Sequence, residues 1–349
     1  MAKEFFMQQA LTLAQKVNPS PNPRVGAVIV KNNKIIGEGY HRKAGEDHAE
    51  IVAIKKVKNK KLLQGATLYV TLEPCNHYGK TPPCTQAIIK AGIKEVIFAT
   101  SDPHEKASGG ERALQKSGIK IKKGICKKEA EELNKYFFYA QKNKRPYLIQ
   151  KNAVTIDGKI WSKQQRRITG KTSMEDVHKL RNDVDAILVG ASTVVKDNPF
   201  LTCRIKNGKD PLRIVLDSTL KVPLTAHIFK DNNILVITTK KADKKKLKKL
   251  KEKAIPYIIF EKKIHPEKLL TILHKKEIRS ILLEGGSQMN TSFAHLANEF
   301  HFYMSPLIFG EKETIPLFSE KISSFLAIKV VKRLEEDIKI IARPICKSL

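Results

Sequence analysis

The chain of 349 residues is poor in several features that mark common protein classes. No stretch approaches the about 18 uninterrupted apolar residues of a membrane-spanning helix, so we expect none. The first six residues include Glu4 and no long apolar core, which argues against a secretory signal peptide. Five cysteines are too few and odd in number for a disulfide framework. We therefore expect a cytoplasmic protein in a reducing compartment.

Acidic residues are also scarce. The chain has 35 Asp and Glu against 65 Lys and Arg, a formal net charge of +30. Such a charge is compatible with a nucleic-acid partner. However, aromatic residues make up only 7% of the chain and no RNP-type aromatic motif is present. In the densest basic run, residues 240–253, Leu247 and Leu250 alternate with lysines, which predicts an amphipathic helix with a charged outer face. We favour solvated lysine-rich faces over a nucleic-acid footprint.

Length and composition predict two α/β domains, because 349 residues with 41% hydrophobic content can bury two cores. The polar segment 141–146 ends in Pro146, so we place the boundary between residues 1–145 and 146–349. Helical and strand patterns alternate in both halves, and the second half predicts a largely parallel sheet. The predicted elements are a helix over 5–17, a hairpin of strands 25–30 and 34–38 turning at Asn32-Asn33, and strands at 67–72, 95–100, 147–151, 186–190, 213–217, 234–239, 257–260 and 280–284.

Two helix starts carry specific expectations about capping residues. His48 should open a helix that is capped by Asp47 or Glu46. Thr81 should cap a helix whose first residue is Pro82. These two helix starts matter because one carries His48 and the other carries Cys84, which belong to the group of metal-ligating residue types described next.

A group of metal-ligating residue types lies in the first half. His48, Cys75 and Cys84 supply one imidazole and two thiols, and Glu50 supplies a carboxylate that is not needed as a ligand. A structural zinc site uses four protein ligands, whereas three ligands leave a position open for water. We therefore predict a catalytic zinc ion, with Glu50 moving protons between the activated water and a nitrogen leaving group. The alternative is that the cysteines are unrelated core residues.

The order His-x-Glu, Pro-Cys and Cys resembles the zinc-deaminase pattern of the cytidine deaminase-like superfamily. Eight residues separate Cys75 from Cys84, whereas nucleoside and tRNA deaminases usually have two. With the segments PNPRVG (21–26), GEGYH (37–41) and TLEPC (71–75), this spacing resembles the deaminase half of the RibD family of bifunctional riboflavin biosynthesis proteins. The resemblance implies a three-layer α/β/α domain.

The same resemblance implies a substrate and its contacts. The substrate would be a diaminopyrimidinone that carries a ribosylamino 5′-phosphate, and an exocyclic amine would be hydrolysed. Asn22, His77 and Lys80 should face this substrate, with Lys80 meeting the phosphate. For His77, a further zinc ligand or a simple surface residue is the alternative.

In the second half, an apolar strand at 281–283 runs through Glu284 into Gly285, Gly286 and Ser287. Backbone amides at such a helix start can hold phosphate. An ordinary strand–turn–helix junction explains the pattern equally well, and it is no Gly-x-Gly-x-x-Gly fingerprint.

Longer segments of this half resemble the RibD reductase domain, namely KNAVTIDGK (151–159), ILVG (187–190), DNP (197–199), LTCR (201–204), DS (217–218) and LEGG (283–286). The resemblance implies a dihydrofolate reductase-like α/β fold and NADPH as hydride donor. The implied substrate contacts are Arg181, Leu201, Arg204 and Glu284. The implied dinucleotide contacts are Ala153, Thr193, Asp197, Ser218, Gly286, Ser287, Gln288, Met289, Asn290, Thr291 and Ser292. The guanidinium groups of Arg181 and Arg204 suit phosphate binding, and ordinary salt bridges are the alternative for both. Asp197 could equally be a turn residue before Asn198 and Pro199.

One segment departs from the family pattern. Where the family commonly has Ser-x-Trp-Ile-Thr, this chain has Gln165 and Arg167 in place of the Ser and the Trp. Because arginine cannot offer a ring to the nicotinamide in the same way, weakened cofactor binding is a hypothesis here.

The leading interpretation is a bifunctional enzyme with one Zn²⁺ and NADPH, acting on a phosphorylated pyrimidine, without a nucleic-acid or membrane partner and as a homo-oligomer. Three alternatives stay open: an active deaminase with an impaired reductase half, a tRNA deaminase, and a non-catalytic basic protein with structural zinc. The Cys spacing and the reductase-like half argue against a tRNA deaminase.

Overall fold

The computed structural model describes residues 2–79, 81–103, 109–163, 165, 167–310, 313–323 and 325–345. The chain forms two compact units, Met1–Lys144 and Arg145–Leu349. Each unit has its own mixed sheet and its own hydrophobic core. None of the helices in the described part has the length and apolar character needed to cross a bilayer.

The first unit is built on a five-stranded sheet with strand order β2-β1-β3-β4-β5. Strand β1 is antiparallel to β2 and β3, and β3, β4 and β5 are parallel. The strands are β1 (Gly26–Lys31), β2 (Lys34–Tyr40), β3 (Thr67–Leu72), β4 (Glu95–Thr100) and β5 (Lys120–Lys123). The helices are α1 (Ala2–Ala14), α2 (Ala49–Lys56), α3 (Cys84–Lys90), α4 (Gly110–Lys116), α5 (Lys127–Leu133) and α6 (Lys135–Asn143), and a 3₁₀ turn covers Lys60–Leu63.

Alternating strand residues bury both faces of this sheet. On one face, Val28 and Tyr69 pack against α1 and α5. On the other face, Ile29 and Val70 pack against α2, α3 and α4. Since successive strand side chains point to opposite faces, two helical layers cover one sheet. The predicted three-layer α/β/α architecture is confirmed.

The second unit contains a nine-stranded sheet of order β11-β10-β9-β8-β12-β6-β13-β16-β15 and a separate ribbon of β7 and β14. The strands are β6 (Tyr147–Thr155), β7 (Lys159–Ser162), β8 (Ala186–Gly190), β9 (Leu212–Leu216), β10 (Ile234–Thr239), β11 (Tyr257–Phe260), β12 (Ser280–Leu283), β13 (Glu299–Ser305), β14 (Thr314–Pro316), β15 (Leu326–Leu334) and β16 (Asp337–Pro344). The helices are α7 (Lys171–Asp183), α8 (Ala191–Asp197), α9 (Lys244–Glu252), α10 (Pro266–Lys275) and α11 (Ser287–Phe293), with 3₁₀ segments at His227–Phe229 and Ala294–Leu296.

Strands β11 through β13 of this sheet are parallel, and β13, β16 and β15 are antiparallel. The prediction of a largely parallel sheet is therefore confirmed. In a parallel sheet the carboxyl ends of the strands lie at one edge, so the loops after β6, β8, β9 and β12 converge there. Ligands of open α/β sheets bind at this edge.

The bounds of several predicted strands agree with the structure, whereas three predictions about helix starts and ends do not. The helix predicted over 5–17 covers Ala2–Ala14 instead. His48 itself occupies the N-cap of α2 without a side-chain cap, and Asp47 pairs with Lys55 at 2.6 Å, so the predicted Asp47 or Glu46 cap is wrong. Helix α3 begins at Cys84 rather than Pro82. Consecutive prolines keep the backbone extended, which delays the helix and removes Thr81 from its N-cap.

Candidate active sites in the two units

The loop after β3 and the starts of α2 and α3 bring the predicted metal ligands together. The ligand atoms of His48, Cys75 and Cys84 lie within 4.8 Å of one another. The His48 Nδ1 atom is 3.2 Å from Cys84 Sγ and 3.5 Å from Cys75 Sγ. Tetrahedral zinc with normal bond lengths places such atoms about 3.5 Å apart. One imidazole and two thiols at this spacing fit zinc, and His77 is not a member of this group among the described residues.

Hydrogen bonds within this group shift the pKa values of its three members in different directions. A hydrogen bond from Cys84 lowers the pKa of the Cys75 thiol to about 4, so Cys75 is a thiolate at neutral pH. The hydrogen bond with Cys75 raises the pKa of His48 to about 9, and the hydrogen bond with Cys75 also raises the pKa of the Cys84 thiol. Zinc would therefore displace a proton from each of these two groups. Thiolates are strong ligands for zinc.

Glu50 lies on the second residue of α2, two positions after the His48 ligand, and its side chain is 3% exposed. Burial raises the pKa of its carboxyl above the usual value. A carboxyl group with a raised pKa can both accept and donate a proton near neutral pH. Its carboxyl is buried next to the predicted ligands, since His48, Cys75 and Cys84 all affect its pKa.

Asn22 is connected to His48, one of the predicted metal ligands, through His41, for which the sequence predicted no role. The Asn22 Nδ2 atom lies 3.0 Å from His41 Nε2, and His41 Nδ1 lies 3.1 Å from the Asp47 carbonyl oxygen. Since a carbonyl only accepts, Nδ1 carries the proton and Asn22 donates to Nε2. Burial lowers the pKa of His41, which keeps the ring neutral. Its ring packs edge-on against that of His48, with centroids 5.2 Å apart.

The two remaining predicted deaminase residues lie in the loop between Cys75 and Cys84. The Nδ1 atom of His77 is buried and has no hydrogen-bond partner among the described residues. A buried donor or acceptor without a partner is costly unless a ligand or water satisfies it. Lys80 lies outside the described residues.

In the second unit, a cleft of about 1910 Å³ opens at the carboxyl edge of the parallel strands. All the predicted reductase residues line it. They are Ala153, Arg181, Thr193, Asp197, Leu201, Arg204, Ser218, Glu284, and the segment Gly286, Ser287, Gln288, Met289, Asn290, Thr291 and Ser292. Segments that are distant in sequence therefore meet in one site, because the carboxyl ends of their parallel strands lie at the same edge of the sheet.

A buried charge cluster lies in the wall of this cleft. Arg181 donates two hydrogen bonds to Glu284, Nε to Oε1 at 2.7 Å and Nη2 to Oε2 at 2.9 Å. Lys151 Nζ is 3.6 Å from Glu284 Oε2. Burial alone would raise the pKa of the Glu284 carboxyl, but the charges of Arg181 and Lys151 lower it to about 2. Arg181 is thus engaged in a salt bridge with Glu284. This is the arrangement that the sequence analysis gave as the alternative to an arginine free to bind phosphate.

Arg204 and Leu201 lie on the loop that follows α8. The Arg204 side chain is exposed, and its guanidinium carbon is 5.9 Å from the centre of the Phe200 ring. Leu201 is buried and has a left-handed backbone with φ of 54°. Such a conformation is unfavourable for a branched side chain and is found preferentially where a loop is fixed for function.

The turn between β12 and α11 combines a sterically required glycine with polar atoms that have no partner. A Cβ on Gly285 would lie 2.5 Å from Met289 Cβ, so the helix start requires glycine there. The Ser287 hydroxyl oxygen and Asn290 Oδ1 are buried without a hydrogen-bond partner in the described part of the chain. Unpartnered polar atoms at a cleft wall are available to a ligand.

The segment that departs from the family pattern also reaches the cleft. Arg167 lines it with an exposed side chain, and Gln165 Nε2 donates to the Arg167 carbonyl at 3.0 Å. Lys151 and Trp161 line the cleft too, although the sequence analysis did not assign them. The position of Lys151 two residues before Ala153, on the same face of a strand, was a signal that could have identified it.

Comparison with known proteins agrees with these sites. Residues 1–100 match the family model of the cytidine and deoxycytidylate deaminase zinc-binding region, and residues 146–340 match the RibD C-terminal domain. Riboflavin biosynthesis protein RibD of Aquifex aeolicus is 42% identical over 346 residues, which cover 96% of each chain.

Two solved structures resemble the whole chain. Acinetobacter baumannii RibD has a TM-score of 0.89 at 33% identity, with 99% of each chain covered. A diaminohydroxyphosphoribosylaminopyrimidine deaminase/5-amino-6-(5-phosphoribosylamino)uracil reductase from Thermotoga maritima has a TM-score of 0.86 at 35% identity, again with 99% of each chain covered. These similarities do not favour a tRNA deaminase or an impaired reductase. The chain therefore belongs to the RibD family, the bifunctional deaminases and reductases of riboflavin biosynthesis.

Proposed function

We propose that residues 1–145 use zinc to deaminate 2,5-diamino-6-(5-phosphoribosylamino)pyrimidin-4(3H)-one, and that residues 146–349 use NADPH to reduce the ribosyl group of the product to a ribityl chain. The observation that carries the proposal is the group of His48, Cys75 and Cys84 beside the buried Glu50. This donor set leaves one tetrahedral position for solvent. The similarity to the Thermotoga maritima deaminase/reductase supports the substrate.

In the deaminase unit, His48, Cys75 and Cys84 would hold the ion. Zinc in such a site supplies an activated water at neutral pH. The Glu50 carboxylate would take a proton from the water whose oxygen bonds to the ring carbon, and would deliver it to the exocyclic nitrogen, so that the carbon–nitrogen bond breaks and ammonia leaves. The raised pKa of the Glu50 carboxyl suits both transfers.

Asn22, His77 and Lys80 would position the substrate. Asn22 uses Nδ2 on the neutral ring of His41, which leaves its carbonyl oxygen to accept from a pyrimidine N–H. The unpartnered Nδ1 of His77 is available to the pyrimidine or its phosphate. Lys80 would meet the phosphate as a point charge.

In the reductase unit, NADPH supplies a hydride to the substrate carbon. The dinucleotide would be bound by cleft-lining residues, namely Ala153, Thr193, Asp197, Ser218 and the segment 286–292. Arg181, Leu201, Arg204 and Glu284 would bind the substrate. Arg204 has the exposed guanidinium suited to the phosphate, whereas the paired Arg181 and Glu284 form a rigid polar wall for the sugar hydroxyls.

One incubation tests both halves. The purified protein is given the diaminopyrimidinone phosphate with and without NADPH, and ammonia release and NADPH oxidation are followed. We expect ammonia release with and without NADPH. NADPH should be oxidised only when the pyrimidine substrate is also present. The variant Glu50→Gln should retain zinc but release no ammonia, while it still reduces the deaminated intermediate supplied directly. Ammonia release by Glu50→Gln at the wild-type rate would refute the mechanism.

We also propose that the protein is cytoplasmic and self-associates. The four cysteines in the described residues form no disulfide, which is compatible with a reducing compartment. Ile328, Val330 and Val331 of β15 and Ile338 of β16 are exposed at the edge of the large sheet. An exposed apolar edge is typical of an interface. Light scattering should give a dimer or larger species, and Val331→Lys should shift it toward the monomer.

A further inference from the structure

Trp161 is the single tryptophan of the chain, and the described structure places it in the reductase cleft. It lies on β7, the strand of the small ribbon that follows β6 directly. Its side chain is partly exposed. Its register partner in β14 is Ile315, which also lines the cleft. The ribbon therefore gives the cleft an apolar wall.

The ring of Trp161 lies next to the helix that carries predicted dinucleotide contacts. Lys196 Nζ lies 4.8 Å from the centre of the indole ring, in cation–π geometry. Lys196 belongs to α8, as do Thr193 and Asp197. The indole ring and the exposed ammonium group of Lys196 thus lie together where the ribbon faces α8.

Other aromatic side chains of the cleft lining are less suited to receive a flat ring. Phe293 is 1% exposed and belongs to the hydrophobic core. The Phe200 ring is stacked on His227, with centroids 4.2 Å apart and an interplanar angle of 14°. Among the Phe, Tyr and Trp residues that the structure shows in the lining, Trp161 is neither buried in the core nor stacked on another ring.

We propose that Trp161 covers the nicotinamide ring of the dinucleotide in this cleft, with Lys196 neutralising the adjacent diphosphate; the inference rests on the proposed use of NADPH. A nicotinamide ring turns one face toward the substrate during hydride transfer. Its other face needs a flat apolar cover that excludes water, and an indole ring provides the largest such surface. Lys196 moves from the indole ring to the diphosphate when the dinucleotide binds.

The first test uses the full-length wild-type protein and the fluorescence of Trp161. Because the chain has one tryptophan, the whole signal comes from this position. NADPH should quench the emission and give sensitised emission from its own reduced nicotinamide. The nicotinamide-free fragment 2′,5′-ADP should bind, as calorimetry would show, and leave the emission unchanged. Quenching by 2′,5′-ADP as strong as by NADPH would overturn the assignment to the nicotinamide.

The second test compares variants by calorimetry. Trp161→Leu should raise the Kd of NADPH about tenfold and leave that of 2′,5′-ADP unchanged, and Trp161→Phe should recover part of the loss. Lys163→Gln, directly after β7 but not among the cleft-lining residues, is the matched control and should bind both ligands normally. Lys196→Gln should weaken NADPH and NADH by the same factor, since both carry the diphosphate.

The outcomes separate this inference from the proposed cofactor use. If the wild-type protein binds neither NADPH nor 2′,5′-ADP, the proposed use of NADPH fails, and the inference fails with it. If the wild-type protein binds both and Trp161→Leu leaves the NADPH affinity unchanged, only the role of Trp161 is refuted. An equal loss for both ligands in Trp161→Leu and Trp161→Phe would show a general disturbance of the cleft and would also refute it.

Discussion

Replacement of Glu284 by glutamine should destabilise the reductase unit in a pH-dependent way. The carboxylate holds Arg181 through two hydrogen bonds of 2.7 and 2.9 Å and lies 3.6 Å from Lys151. The side chains of Glu284 and Arg181 are 9% and 14% exposed. Glutamine has the same shape but no charge, so Glu284→Gln leaves a nearly buried guanidinium without its counter-ion.

The magnitude follows from the pKa of the carboxyl. The surrounding cations lower the pKa of Glu284 from 4.5 to about 2, against the effect of burial. A difference of this size corresponds to about 3 kcal/mol of unfolding free energy at neutral pH. Removal of one partner of a buried ion pair typically costs about 3–5 kcal/mol, which agrees with this value.

The lowered pKa of Glu284 also determines how the stability difference between wild type and Glu284→Gln changes with pH. Because the folded-state pKa is lowered, the stabilisation is fully present above the pKa of the unfolded chain and is lost as the pH falls toward about 2. The gap in unfolding free energy between wild type and Glu284→Gln should thus be largest at neutral pH. It should narrow progressively below about pH 5.

Urea denaturation followed by the fluorescence of Trp161 measures this, since the single tryptophan reports on the unit that contains Glu284. The matched control is Glu261→Gln. Glu261 pairs with Lys240 at 2.7 Å, but the side chains are 78% and 65% exposed, and an exposed pair contributes at most about 1 kcal/mol. A loss in Glu284→Gln no larger than in Glu261→Gln, or one that does not change with pH, would contradict the reasoning.

Three other outcomes are expected. Cys84→Ala should abolish stoichiometric zinc binding, measured by metal analysis, while NADPH oxidation with the deaminated intermediate continues; full zinc content would disprove the ligand assignment. His41→Phe should raise the deaminase KM more than it lowers kcat, because Asn22 loses its hydrogen-bond partner; an unchanged KM would show that this link does not position Asn22. Gly285→Ala should destabilise the reductase unit by about 1–3 kcal/mol in thermal unfolding, because its Cβ would meet Met289 at 2.5 Å. A Cβ at neighbouring Gly286 has its nearest neighbour at 3.8 Å, so an equal loss in Gly286→Ala would argue against this steric reason.

The metal group was accessible from sequence because the residue types are unusual and their spacing is local. Imidazole and thiol side chains in the order His48, Cys75 and Cys84 have few joint uses other than zinc binding. Strand positions such as those of β3 and β8 were equally accessible from apolar runs bounded by turn residues. The Thr81 cap prediction failed because it left out the effect of Pro82 and Pro83 on the backbone. The cap predicted for α2 failed because His48 itself occupies the N-cap and Asp47 pairs with Lys55.

The pairing of Arg181 with Glu284 was not accessible from sequence. The two residues are separated by 103 positions in the chain. The sequence around Arg181 was equally compatible with an ion pair and with an arginine free to bind phosphate. The link from Asn22 through His41 to the metal ligands was also hidden, because hydrogen-bond partners depend on side-chain directions. The cleft position of Trp161 depends on a two-stranded ribbon whose partner strand is about 150 residues away in the chain.

By itself, the sequence determined the class of chemistry and the alternation of helices and strands, because both depend on residue type and short-range periodicity. Tertiary structure decided which charged groups neutralise one another and which aromatic ring faces the reductase cleft. These depend on contacts between distant segments, which exist only after the parallel strands align and their carboxyl ends meet at one edge of the sheet.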